Sequence, residues 1–193
     1  SVQRMYTTWD ANGLALAWTG ADWSQASNGS LFVYLDTATG GATRAYNPFG
    51  SGADVVMPAQ GQPFGADYLI WLSGECTAQL YHWDGSAWQL AATANASLDH
   101  PGFQVRTDWR AQRTILRVPF AALGIANPAT TALDMVAFAS EPNTLRLWAA
   151  MPEQNPLDSS RATNWGYMAD TATFTLTQQY HWPALGAGVL PNA

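Results

Sequence analysis

The sequence contains no lysine and only one cysteine, and only 11% of its 193 residues are charged. Each shortage excludes something. All eight basic residues are arginines, scattered as Arg4, Arg44, Arg106, Arg110, Arg113, Arg117, Arg146 and Arg161, and the formal net charge is −6. A nucleic-acid or anionic-membrane surface needs a positive patch, and this balance weighs against both. The loose group from Arg106 to Arg117 alternates with apolar residues, which predicts an exposed sheet face. Cys76 has no partner for an intramolecular disulfide, so packing is its default role. Apolar runs stop at about half a dozen residues, short of the roughly 20 that span a bilayer, so no membrane insertion is expected. The opening Ser1-Val2-Gln3-Arg4-Met5 lacks a signal peptide's apolar stretch. It reads as the start of a mature or excised fragment of a larger multidomain chain.

Enzyme signatures are missing too. There is no G-x-S-x-G, no glycine-rich phosphate loop and no H-E-x-x-H. His82, His100 and His181 show no metal-ligand spacing. Glycoside hydrolysis needs two carboxylates flanking one bond, and Glu75, Glu141 and Glu153 lie in turn-like segments without evident convergence. A non-catalytic role is expected.

What is present is strand grammar. Met5–Trp9 and Leu14–Trp18 flank Asp10-Ala11-Asn12-Gly13, where Asn-Gly predicts a hairpin turn with positive φ. Leu31–Leu35 is continuously apolar, as in a strand covered on both faces. Asp67–Leu72 follows. Ala78–Trp83 and Ala87–Leu90 flank Asp84-Gly85, predicting a hairpin across which Trp83 and Trp88 pair. Phe103–Thr107 and Arg113–Val118 read as another antiparallel pair, and Pro119–Gly124 as one helical turn stopped by glycine. Met135–Ala139, Thr144–Ala149 and Thr173–Thr177 complete the set. About ten to twelve short strands predict an all-β, antiparallel, jelly-roll-like two-sheet sandwich over residues 1–180. Residues 181–193, with Pro183 and Pro191, read as a tail or linker.

The order of these segments resembles the family-9 carbohydrate-binding modules and the wider DOMON-like sandwiches. The matching pieces are Thr8–Ala17, Ser30–Thr37, Arg113–Gly124 and Met135–Phe138, within about three quarters of the chain. The Asp-Gly turn and early Trp that usually open that family are absent, and the segment Ser73–His100 is longer. The resemblance implies a sandwich that binds an oligo- or polysaccharide, in a secreted or cell-surface protein. It also implies a ligand gripped between two tryptophans, one before the strand ending in Asp and one in the loop before the last strand.

Ten tryptophans make the chain Trp-rich. An indole face packs on the C–H face of a sugar while polar neighbours bind its hydroxyls. Trp18, Trp71 and Trp148 sit in strand-like runs and are expected in the core or on a sheet face. Trp23 and Trp165 sit in polar loop contexts, and they fall where the resemblance places the gripping pair. Gln25, Arg161 and Asn164 are the adjacent hydrogen-bonding candidates; the alternative is that these indoles cover the sandwich end. The loop after Leu35, with Asp36, Thr37, Thr39 and then Asp54, offers hard oxygen ligands for Ca²⁺, against Asp36 capping the loop's own amides. A haem reading would use Met57, Met151 or Met168 with His82. The competing functions are a structural or adhesive spacer and a sandwich-fold hydrolase or lyase.

Overall fold

The computed structural model describes residues 3–74, 77–96, 101–152 and 173–185. Its strands are β1 (Arg4–Trp9), β2 (Gly13–Thr19), β3 (Ser30–Asp36), β4 (Asp54–Val56), β5 (Tyr68–Gly74), β6 (Thr77–Trp83) and β7 (Trp88–Thr93). They continue as β8 (Gln104–Asp108), β9 (Arg113–Pro119), β10 (Leu133–Ser140), β11 (Leu147–Met151), β12 (Thr173–Thr175) and β13 (Tyr180–Trp182). Among the described residues, helix is confined to two short 3₁₀ turns, Ala26–Asn28 and Phe120–Leu123. No helix among them is long and apolar enough to cross a membrane.

The expected all-β sandwich is the fold. One sheet has the order β1-β2-β9-β8; the larger has the order β11-β10-β3-β5-β6-β7, with β13 also on β10. Apart from the parallel pair β4–β12, every strand pairing is antiparallel. Alternation decides how the small sheet sits. In β2 and β9, Leu14, Leu16, Trp18, Leu116 and Val118 point inward and are buried, while the intervening side chains face outward. They meet Leu31, Val33, Leu35, Ile70 and Leu72 of the large sheet in the main core.

β3 and β10 lack alternation because both faces are covered. Phe32, Tyr34, Val136 and Phe138 point away from the main core into a second one, closed by Ala53, Val55, Met57, Phe64 and Phe174. A loop running out from Asp36 and the β4–β12 pair thus form a third layer.

Two local expectations change. The Asp84-Gly85 hairpin forms as expected, with Trp83 opposite Trp88 at 5.5 Å between ring centroids, and Gly85 at φ 98°. At the first hairpin Gly13 does not have positive φ. Asp10 instead accepts from the N–H groups of Asn12 (2.7 Å) and Gly13 (3.0 Å), which closes the turn as an Asx turn. Gly13 is needed for close approach, since a Cβ there would lie 2.6 Å from the Val118 carbonyl oxygen. The boundary at residue 180 also moves. β13 runs through it, Trp9 Nε1 donates to the Leu185 carbonyl, and Leu185 is buried in the main core. The sandwich therefore includes the chain at least to Leu185.

Candidate functional site

The loop between β2 and β3 folds on its own polar groups. Asp22 accepts from the Ser24 N–H (2.9 Å), Asn28 Nδ2 donates to the Asp22 carbonyl (2.9 Å), and the Asn28 N–H donates to the Gln25 carbonyl (3.0 Å). With these groups satisfying the backbone, the loop's large apolar group is free to turn inward. Trp23 is 0% exposed, edge-on to Trp18 at 6.2 Å and stacked on Trp148 at 6.0 Å and 27°. This corrects the expected exposed platform: Trp23 is a core residue with no face for a sugar. The polarity around it serves the turn. Gln25 is exposed beside it. Arg161, Asn164 and Trp165 lie outside the described residues, as does Met168.

The indole that reaches the surface here is Trp148, whose strand-like run predicts a place in the core or on a sheet face. It is half-buried and lines a cleft of about 840 Å³ with Gln3, Asp22, Asn28, Gln112 and Glu141, within the range of small-ligand sites. The walls are held in place. Gln3 Oε1 accepts from Trp18 Nε1 (3.0 Å), the Gly20 N–H donates to the Gln112 carbonyl (2.9 Å), and Arg146 contacts Glu141 at 3.5 Å. Gly29 presses the loop onto β10 with φ +97°; a Cβ would sit 2.2 Å from the Ser140 carbonyl oxygen and 3.6 Å from Trp148 Nε1. No sequence signal distinguishes Trp148 from other strand tryptophans. Its access depends on lying in a strand at the edge of the large sheet.

A second polar group crosses the other end of the large sheet. Asp134 is opposite both Asp36 and His181 in the ladder. It accepts from Gln62 Nε2 (3.0 Å) and lies 2.7 Å from His181 Nδ1. Asp36 accepts from the Gly65 N–H (2.8 Å), and Asp67 accepts from the N–H groups of Thr37 and Ala38 (2.8 Å each). Loop capping thus falls mainly to Asp67. Asp54 lies elsewhere, paired with Arg44. Among the described residues no group of three or more His, Cys, Asp or Glu is placed to hold a metal ion, and Asp36 and Asp54 do not form the Ca²⁺ site considered above. Met57 is buried in the second core, whereas His82 is exposed on the opposite face of β6, against Tyr68. The haem grouping of Met57 with His82 is not assembled.

Burial pushes the Asp36 carboxyl up to about 6, reinforced by the charges of Asp67 and Asp134. The folded state therefore binds the proton more tightly than the unfolded chain, whose ordinary value is 3.8. Its contribution is fully present below the lower value and is lost as pH rises through the upper one. Asp36 is half-buried, and solvent screening reduces the effect to about 1 kcal/mol. Chemical denaturation at pH 5 and pH 7.5 is expected to show roughly half of that difference, since pH 5 already lies above the lower value, with Asp36→Asn removing it. A variant that keeps the full pH dependence would assign it to another group.

In comparisons with protein-family models and with curated proteins, nothing matches this chain.

Proposed function

We propose that the domain binds carbohydrate without transforming it, seating a sugar ring in the cleft against Trp148. One observation carries the reading: a partly exposed indole, backed by buried Trp23, faces a space bordered by Gln3, Asp22, Asn28, Gln112 and Glu141. That combination supplies an apolar face for sugar C–H groups and a rim for their hydroxyls. The stack on Trp23 fixes the Trp148 ring, so little ordering entropy remains to be lost on binding. Asp22 and Glu141 are already engaged with Ser24 and Arg146, which favours positioning over proton transfer. The sandwich fold is what the resemblance to family-9 modules implies, but the gripping pair is not carried over at Trp23. The proposed setting is a secreted or cell-surface protein with further domains.

Tryptophan-fluorescence titration and affinity electrophoresis with α- and β-glucans, xylans and mannans test the proposal. At least one should bind, and Trp148→Ala should weaken it by about tenfold or more, the equivalent of about 1.4 kcal/mol. Leu90→Ala, exposed on β7 at the opposite edge of the large sheet from β11, serves as control. Silence across the series, or an unchanged Trp148→Ala, would overturn it. A structural spacer is the second reading, favoured by the packing of Trp9, Trp18 and Trp23 wholly within the core.

A further inference from the structure

The outer face of the four-stranded sheet carries an uneven share of the chain's charge. Arg4 on β1, Arg106 on β8, and Arg113 and Arg117 on β9 are all exposed there, half of the eight arginines. The register brings them into rows. Arg4 lies across from Thr19, Arg113 and Asp108, and Tyr6 across from Ala17, Ile115 and Arg106; Thr8 lies across from Ala15 and Arg117. Among the described residues the acidic groups on or beside this face are Asp108 and Asp10, and Asp10 contacts Arg117 at 3.4 Å. Among the described residues Arg4, Arg106 and Arg113 form no ion pair. A protein of net charge −6 thus presents one locally positive face.

The same sheet holds two of the three large exposed hydrophobic side chains among the described residues. Tyr6 is 54% exposed on the face, and Trp109 is 60% exposed in the β8–β9 turn, with Arg110 over its ring at 5.0 Å. Between Tyr6 and Arg106 the floor is Ala17 and Ile115, short or half-buried side chains that leave the surface flat.

We propose that this face is a second binding surface, for a linear polysaccharide bearing carboxylates, and that it acts independently of the Trp148 cleft. The spacing of the cations carries the choice of partner. Arg113 and Arg117 are four residues apart on one strand, about 13 Å, and neighbouring strands lie roughly 4.8 Å apart. Duplex nucleic acid presents a charge every 1.7 Å or so, far denser than this face can neutralise. A chain with about one carboxylate per sugar ring matches sparse guanidiniums, each of which can take a carboxylate through two N–H groups. The flat aliphatic floor with Tyr6 at its edge accepts the rings between.

Polygalacturonate and its fully methyl-esterified form, tested by affinity electrophoresis and calorimetry with EDTA present, share a backbone and differ in charge. The free acid should bind, the ester should bind at least fivefold more weakly, and salt should weaken the difference. The double variant Arg106→Ala/Arg113→Ala should lose about 5- to 10-fold in affinity for the acid, with an unchanged circular-dichroism spectrum. Trp148→Ala should bind the acid as the wild type does, so failure of the cleft and failure of the face read out separately. Equal binding of acid and ester, no binding of the acid, an unaffected double variant, or equal affinity for duplex DNA would each overturn the proposal.

Discussion

Replacing Trp23 with alanine is expected to destabilise the domain by about 3–5 kcal/mol, the cost of emptying a large aromatic site in a packed core. The indole is fully buried and touches aromatic partners on two sides, Trp18 and Trp148. Its removal leaves a cavity beneath the cleft and frees the Trp148 ring to tilt. Stability and sugar affinity should therefore fall together, whereas Trp148→Ala should reduce affinity with the smaller stability cost of a half-buried ring. Trp23→Phe separates packing from polarity. Trp23 Nε1 is buried without a hydrogen-bond partner among the described residues, so phenylalanine loses volume but none of their bonds and relieves an unsatisfied donor. That variant should cost about 1–2 kcal/mol. Urea unfolding midpoints, with m-values checked for constancy, measure both. A cost below about 1 kcal/mol for Trp23→Ala would mean that the ring is not part of the core.

Gly65→Ala is the other large effect expected. Where the chain segments at Gly40 and Gly65 cross, a Cβ on Gly65 would stand 1.5 Å from the Gly40 carbonyl oxygen and 2.6 Å from its carbon. Both obstacles are backbone, so no side-chain rotation relieves them. Separating the segments would break the paired hydrogen bonds between Ala42 and Ala66 (2.8 and 2.9 Å) and the bond from the Gly65 N–H to Asp36. Overpacking of this kind costs about 1–3 kcal/mol or more, and each lost bond adds about 1 kcal/mol; a loss of at least about 3 kcal/mol is expected. Gly61→Ala is the control. It has φ +78° and nothing within 4 Å of an added Cβ, so only the left-handed backbone opposes it, at about 1–2 kcal/mol. Gly65 has no left-handed φ of its own, so a loss no larger than that of Gly61→Ala would show that the crossing gives way at little cost.

Asp36 sits at the edge of that crossing, so the two regions are coupled. Its amide contact to Gly65 favours the charged form, yet burial and the neighbouring carboxylates prevail. Raising the pH therefore loads charge onto the end of the large sheet where the third layer is anchored.

The fold class was written in the sequence because it depends on local rules. The alternation in Leu14-Ala15-Leu16-Ala17-Trp18, the unbroken run Leu31–Leu35 and the Asp84-Gly85 turn each specify a strand, its covering or its reversal from neighbouring residues alone. The exposed arginine face was legible for the same reason: period-two spacing puts Arg113 and Arg117 on one side of β9. Which indole meets solvent was not legible. Trp23 sits among polar residues and is buried because those residues satisfy the loop's own backbone; Trp148 sits in an apolar run and is half open because its strand lies at a sheet edge. Chain neighbours determine whether a segment becomes a strand. Whether its aromatic ring packs or binds is decided by the strands and loops folded against it, which only the tertiary structure brings together.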